Sequence, residues 1–150
     1  MESATRVFVD SSVLISASIS PKGASRAIAV LGELGFLRLV VCQQIFEESE
    51  RNLKVKVPRG VRHFLRFRAS IQWEIVPDPT PEQVRACLQV IVPKDAPILA
   101  AALAAKPYCL VTLDGRDFDQ PAVHSLATFP VQKPSELLEN IRHVLTEHLR

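Results

Sequence analysis

Five acidic side chains stand where local pattern would fix them: Asp10, Glu48, Asp95, Asp114 and Asp117. Asp10 closes the apolar run of VFVDSSVLIS, with Val7, Phe8 and Val9 before it and Val13, Leu14 and Ile15 after it. An ionised carboxylate in a dry interior is costly unless it is paired or metal-bound. Asp10 therefore either lies at a strand end within reach of water and ligands or caps the helix that follows. Taken singly, the others have plain explanations. Asp95 in KDAPIL reads as a helix N-cap, Glu48 belongs to the charged run EESE, and Asp114–Gly115 is an ordinary turn dipeptide. Taken together, carboxylates converging in one cleft repel one another unless a cation neutralises them. An all-oxygen ligand set favours Mg2+ or Mn2+ over zinc, and Ser12 and Thr112 flank the site with hydroxyls. Carboxylate-held Mg2+ ions are one standard arrangement for phosphodiester cleavage, activating a water and stabilising the leaving oxygen.

The elements that must position these acids follow from periodicity and turn residues. Strands are expected at Arg6–Asp10, Leu37–Cys42, Gln72–Val76 and Tyr108–Thr112, with a short fifth within Val123–Phe129. Helices are expected at Ser12–Ser18, Ser25–Leu34 (stopped by Gly35), Gln43–Leu53, Pro58–Ala69, Gln83–Val90 behind Thr80 and Pro81, the Ala-rich stretch after Asp95, and Pro134–Glu147. Apolar, β-branched strands alternating with helices imply a parallel sheet covered on both faces. Ligands then bind beyond the carboxyl ends of the strands, at the switch point of strand order. Asp10 and Asp114 fall just after the first and fourth strands.

The totals are consistent with one globular domain over 1–150: 47% apolar and 23% charged residues, with 18 Lys and Arg against 16 Asp and Glu. A net charge of +2 names no partner, so any nucleic-acid footprint must be local. Cys42, Cys87 and Cys109 are odd in number and scattered, which speaks against a disulfide framework or zinc site and for a reducing cytoplasm. MESATRVFVD has no signal-peptide pattern, and APILAAALAA is too short to span a bilayer.

VFVDSSVLISA, IFEESERNL, PKDAPILAAALA and YCLVTLDGRDF, in that order, resemble the PIN-domain family of metal-dependent ribonucleases. The resemblance covers nearly the whole chain and is nearest to small single-domain members such as VapC-type toxins. It implies a three-layer α/β/α sandwich with a parallel five-stranded sheet, whose acids meet at the carboxyl edge. By position it implies Asp10, Glu48, Asp95 and Asp114 as catalytic and metal-holding acids, with Asp117 as a further ligand. Glu47 is the rival of Glu48, which is preferred because the pattern places the glutamate after two apolar residues and a spacer. Ser12 stands where the family usually carries Asn, and it has a shorter reach. The implied activity is a Mg2+- or Mn2+-dependent endoribonuclease acting on single-stranded or structured RNA. The implied setting is a toxin–antitoxin pair, with an antitoxin protein as partner and a homodimer as the assembly.

PRGVRHFLRFRAS concentrates positive charge, and Arg59, Arg62, His63 and Arg66 are expected on one helical face as RNA phosphate contacts, with Val61, Phe64 and Leu65 toward the core. Trp73 is expected in the core. The final helix puts Leu137, Leu138, Ile141, Val144 and Leu145 on an apolar stripe suited to covering the sheet or to dimerisation. The competing class is a PIN-like module, weak in catalysis, that binds RNA or protein. A receiver-like phosphoacceptor would need paired acids after the first strand, and a dehalogenase-type phosphatase would need Asp-x-Asp there. Val9-Asp10 and Asp10-Ser11-Ser12 fail those tests.

Overall fold

The computed structural model describes residues 4–149. A β-strand (β1, Thr5–Val9) leads into two helices (α1, Ser11–Ile19; α2, Ala24–Glu33) and a second strand (β2, Leu37–Cys42). Helix α3 (Gln43–Lys56), a 3-10 turn (Pro58–Gly60) and helix α4 (Val61–Ser70) precede β3 (Glu74–Val76). Helices α5 (Pro81–Cys87) and α6 (Ala96–Ala105) lead to β4 (Cys109–Val111). Two short helices (α7, Gly115–Phe118; α8, Pro121–Leu126) come next. Strand β5 (Val131–Gln132) and helix α9 (Pro134–His148) close the order.

All strand pairings are parallel, in the order β3-β2-β1-β4-β5. This is the expected PIN-like α/β/α arrangement, a five-stranded parallel sheet flanked by helices. Val7, Phe8 and Val9 are all buried, as are Cys109, Leu110 and Val111, so both faces of the central strands are covered. The chain leaves β1 for β2 on one side and returns to β4 on the other, which puts the switch point between β1 and β4. Val9 pairs with Val111 there. The residues that follow, Asp10 and Thr112, therefore emerge side by side.

Local chemistry accounts for the boundaries. Gly35 has φ +81°, and Phe36 N–H bonds to Leu31 C=O at 3.0 Å while Gly35 N–H bonds to Gly32 C=O, a Schellman stop that turns α2 into β2. Thr80 and Gln83 form a reciprocal capping box at α5, with Pro81 in its first turn. Phe46 packs edge-on against Phe64 and Trp73, with centroids 6.3 and 5.1 Å apart, and Trp73 Nε1 donates to Phe67 C=O. Trp73 is thus a packing residue, as expected. Among the described residues no helix is long and apolar enough to cross a membrane.

Three expectations need correction. The fifth strand is not within Val123–Phe129: Pro121–Leu126 is helix α8, and β5 lies at Val131–Gln132 beside Leu110 and Val111. Val123, Leu126 and Phe129 recur every third residue, which is helical spacing, and Pro121 suits the first turn of a helix. Arg59 lies in the 3-10 turn and not on the helix that carries Arg62, His63 and Arg66. Leu65 points outward at 47% exposure, because Phe64 and Phe67 fill the inner face of α4.

Candidate functional site

Asp10 serves both roles that the sequence left open. It ends β1 in extended conformation and caps α1. Its Oδ1 accepts Ser11 N–H at 2.7 Å, and its Oδ2 accepts the hydroxyls of Thr112 at 2.7 Å and Ser12 at 3.1 Å. Those hydroxyls are held in turn, since Leu113 N–H donates to Ser12 Oγ and Asp114 N–H donates to Thr112 Oγ1, both at 3.0 Å. Ser12 is thus a structural link between the two strand ends. The network fixes the backbone on which Asp114 stands relative to Asp10.

Asp95 sits at the start of α6 but makes no capping hydrogen bond with its side chain. Its Oδ2 is buried without a partner. The plain explanation of Asp95 as a side-chain N-cap therefore fails, and a buried carboxylate oxygen lacking any donor calls for another reason. Asp10 is 2% exposed and Asp95 4%, so these two form the floor of the site, while half-buried Asp114 and Asp117 form its rim.

The electrostatics tie these groups together. Burial raises the Asp10 carboxyl above its ordinary range, against the opposing hydrogen bonds from Thr112 and Ser12, and the charge of Asp114 adds to the rise. Burial pushes Asp95 up to about 7, helped by its hydrogen bond with Asp117 and by the charge of Asp10, while Lys94 opposes the shift. Asp117 is shifted down, first by that hydrogen bond with Asp95 and then by Lys94. The two shifts run in opposite directions, Asp95 toward its neutral form and Asp117 toward its ionised form. Lys94 Nζ lies 3.4 Å from Asp117 Oδ2, and Asp95, Asp114 and Asp117 all raise its pKa. The sequence reading missed Lys94; its signal was a lone cation directly before an acid in PKDAP.

The other expected residues stand outside this hydrogen-bonded network. Glu48 is half-buried on α3 and Glu47 is exposed. On the basic face, Arg66 is paired with Glu33 at 3.1 Å and stacks over Phe67 at 5.0 Å. Gly60, which leads into α4, packs near Ile19 and Ser18 at the far end of α1 from Asp10. Arg62 lies near His63, whose pKa is lowered by partial burial and by Arg26, Arg62 and Arg66. This basic surface adjoins α2 rather than the acids.

Among the described residues no group of three or more His, Cys, Asp and Glu side chains is arranged to hold a metal ion. The expected four-acid convergence is thus not a closed ligand set. The donor chemistry nevertheless fits a hard divalent cation: all donors are oxygens, Asp95 Oδ2 lacks a partner, and the one ion pair made by these aspartates, among the described residues, is the exposed Lys94–Asp117 pair. Asp10, Asp95, Asp114 and Asp117 are the residues that would hold such an ion.

A parallel sheet with acids at its β1/β4 switch point defines a class of fold, and the comparisons specify it. The PIN domain profile matches residues 6–116, and the chain belongs to the PIN domain family. Among curated protein sequences none matches. Solved structures share the fold at low identity. The structure of VapBC2 from Rickettsia felis bound to a DNA fragment from their promoter aligns with TM-score 0.62 and 13% identity, covering 85% of this chain and 98% of that one. FitAcB from Neisseria gonorrhoeae aligns at 0.57 and 20%, over 85% and 97%. Mycobacterium tuberculosis VapC20, a sarcin-ricin loop cleaving toxin, aligns at 0.51 and 13%, over 82% and 95%.

Proposed function

We propose that this protein is a Mg2+- or Mn2+-dependent endoribonuclease, made of one domain, that cleaves single-stranded or structured RNA as the toxin of a toxin–antitoxin pair. The observation that carries the reading is the pair of buried aspartates at the switch point of a PIN-domain sheet. One is locked by Thr112 and Ser12, and the other has a carboxylate oxygen without a partner. Structural neighbours that are toxins, or complexes bound to promoter DNA, favour an antitoxin partner here as well. The three buried free cysteines suit a reducing cytoplasm.

Asp10 is oriented by Ser11 N–H on one carboxylate oxygen and by the Thr112 and Ser12 hydroxyls on the other. Asp95 is the member of the cluster shifted toward its neutral form, and Asp117 is shifted toward its ionised form. Asp114, held through its own N–H on Thr112, faces the entry side with Asp117. A divalent ion bound by these acids would supply Lewis-acid polarisation of the phosphate and activation of water. Glu48 is proposed as a further catalytic and metal-holding acid contributed from α3, and Arg59, Arg62 and Arg66 as RNA phosphate contacts away from the acids.

The test is cleavage of an RNA panel with Mn2+ or Mg2+, with EDTA as control. Activity that survives EDTA sinks the metal-dependent reading. Folded protein that takes up metal and binds RNA, yet never cleaves it, moves the assignment to a binding module, with Ser12 in place of Asn as the cause to examine. Metal addition should raise the melting temperature, by linkage to RT ln(1 + [L]/Kd). Asp10→Asn should reduce that rise, and equal responses of both proteins would show that Asp10 is not a ligand. Arg62→Ala with Arg66→Ala should flatten the salt dependence of RNA binding by about 0.7 per lost phosphate contact, and by less at Arg66, which Glu33 already engages. Val144 and Leu145 are exposed on α9 at 53% and 59%, and we assign this strip to a homodimer contact. Light scattering that shows a monomer at high micromolar concentration would reject that assignment.

A further inference from the structure

A cavity of about 490 Å3 lies next to the acids, on the outer side of β4. Its lining includes Arg116, Asp119, His124, Gln132, Lys133 and Glu136, which come from α7, α8, β5 and the start of α9. The cavity is joined to the site by a direct chain of bonds. Gln132 C=O accepts Thr112 N–H at 3.0 Å, and Thr112 Oγ1 donates to Asp10. The single turn of α7 divides the two regions, with Asp117 tied to Asp95 and Lys94 on one side while the next residue back, Arg116, lines the cavity.

The two cations and two acids of the cavity balance in formal charge, but they are not paired with one another. Asp119 Oδ1 is 2.9 Å from His124 Nε2, and Glu136 Oε1 accepts Lys133 N–H at 3.0 Å, so both acids already have partners. Arg116 and Lys133 form no ion pair among the described residues. The side-chain carbonyl of Gln132 is also without a donor. Two cations beside an unpartnered amide carbonyl, in a space within the range that holds small ligands, match a nucleotide: a phosphodiester for the cations and a sugar hydroxyl or base amine for the amide.

We propose that this cavity is the subsite for the nucleotide that flanks the scissile phosphate, with Arg116 and Lys133 as its phosphate ligands. The inference rests on the RNA-cleaving reading above and adds the path of the strand: across the rim acids, over α7, toward β5. Like charge at Asp114 and Asp117 repels the RNA backbone, so a cationic subsite immediately outside the acids holds the strand in register while the ion neutralises the reacting phosphate. Arg116 suits this task because its planar fork can bind a phosphate through two hydrogen bonds.

The experiment is fluorescence anisotropy of labelled single-stranded RNA with the full chain in EDTA, where cleavage is suppressed. Arg116→Ala/Lys133→Ala is compared with wild type and with Lys22→Ala/Arg142→Ala, which removes the same charge elsewhere. The salt dependence of log Kd should flatten by about 1.4 for two lost single-strand phosphate contacts, and Kd near 0.1 M salt should rise by roughly tenfold. The Lys22/Arg142 pair should change neither by more than about a third as much. Trimming the RNA one nucleotide at a time should produce one step at which wild type loses affinity and the Arg116/Lys133 variant does not. Wild type that binds RNA with the two variants equivalent, or with no such step, overturns the subsite and leaves the nuclease reading intact. Wild type that binds no RNA in EDTA also overturns the subsite, whereas only failure to cleave RNA with Mg2+ or Mn2+ overturns the nuclease reading.

Discussion

Asp10→Asn is expected to lower RNA cleavage by more than about 100-fold while the protein keeps its fold. Even the outer hydrogen-bond partners of metal ligands cost roughly 10–100-fold when removed, so losing a ligand's charge should cost more. The fold should persist because the local bonds can be rebuilt. Asn keeps a carbonyl oxygen to accept Ser11 N–H, the bond that caps α1. Its NH2 then meets the hydroxyls of Thr112 and Ser12, which reverse from donor to acceptor. Each of those hydroxyls already accepts one backbone N–H, from Asp114 and Leu113, and retains a second lone pair. Asp10→Ala, by contrast, would leave both hydroxyls and Ser11 N–H without an acceptor and confound activity with stability. The informative measurement is therefore cleavage by Asp10→Asn under Mn2+, alongside its circular dichroism and melting curve. Full activity in a folded variant would remove Asp10 from the chemistry and leave it as a helix cap.

Much of this architecture was legible because strongly buried parallel strands leave little choice. VFV, LVVC and CLV are continuous apolar runs, and each sits buried in the sheet as expected. The turn chemistry at Gly35 and at Thr80–Pro81 fixed the neighbouring boundaries. The fifth strand was not legible, because Val131–Gln132 is too short for alternation to register and an apolar segment of helical spacing precedes it. Among the site residues, Asp10 and Asp114 followed from strand ends, and Thr112 and Ser12 from adjacency. What sequence could not give was which side chains remain unsatisfied. Asp95 looks like an ordinary N-cap until its side chain is seen to make no cap bond. Lys94, Arg116 and Lys133 look like ordinary surface cations until their positions around the acids and the adjoining cavity are known. Glu48 was legible only as a motif position, because a half-buried carboxylate on a charged helix carries no local signal that separates it from a solvated face.

Asp95→Asn should give two large effects of opposite sign. RNA cleavage should fall by more than about 100-fold, by the same loss of ligand charge. The metal-free protein should become more stable above neutral pH. Asp95 in the folded state titrates at about 7, well above the ordinary aspartate value near 3.8, because it is buried beside Asp117 and Asp10. Between these two values the native state holds a proton that the unfolded chain has released. Stability contributed by neutral Asp95 is thus complete below pH 4 and is lost as pH rises toward 7. Asp117 is shifted the other way, and its contribution disappears only as pH falls through the acidic range, outside this window. One pKa unit corresponds to about 1.4 kcal/mol, and screening by solvent and by Lys94 reduces the loss to about 1–2 kcal/mol. Urea unfolding in EDTA at pH 5 and pH 8 should show wild type losing about that amount relative to Asp95→Asn, with the variant the more stable of the two at pH 8. Asn removes the charge and costs no capping bond, since the aspartate makes none. A variant destabilised equally at both pH values would return Asp95 to the role of a helix cap. A variant stabilised at pH 8 and unable to cleave RNA would identify a carboxylate that the protein holds at the expense of its own stability, for the cation that the substrate requires.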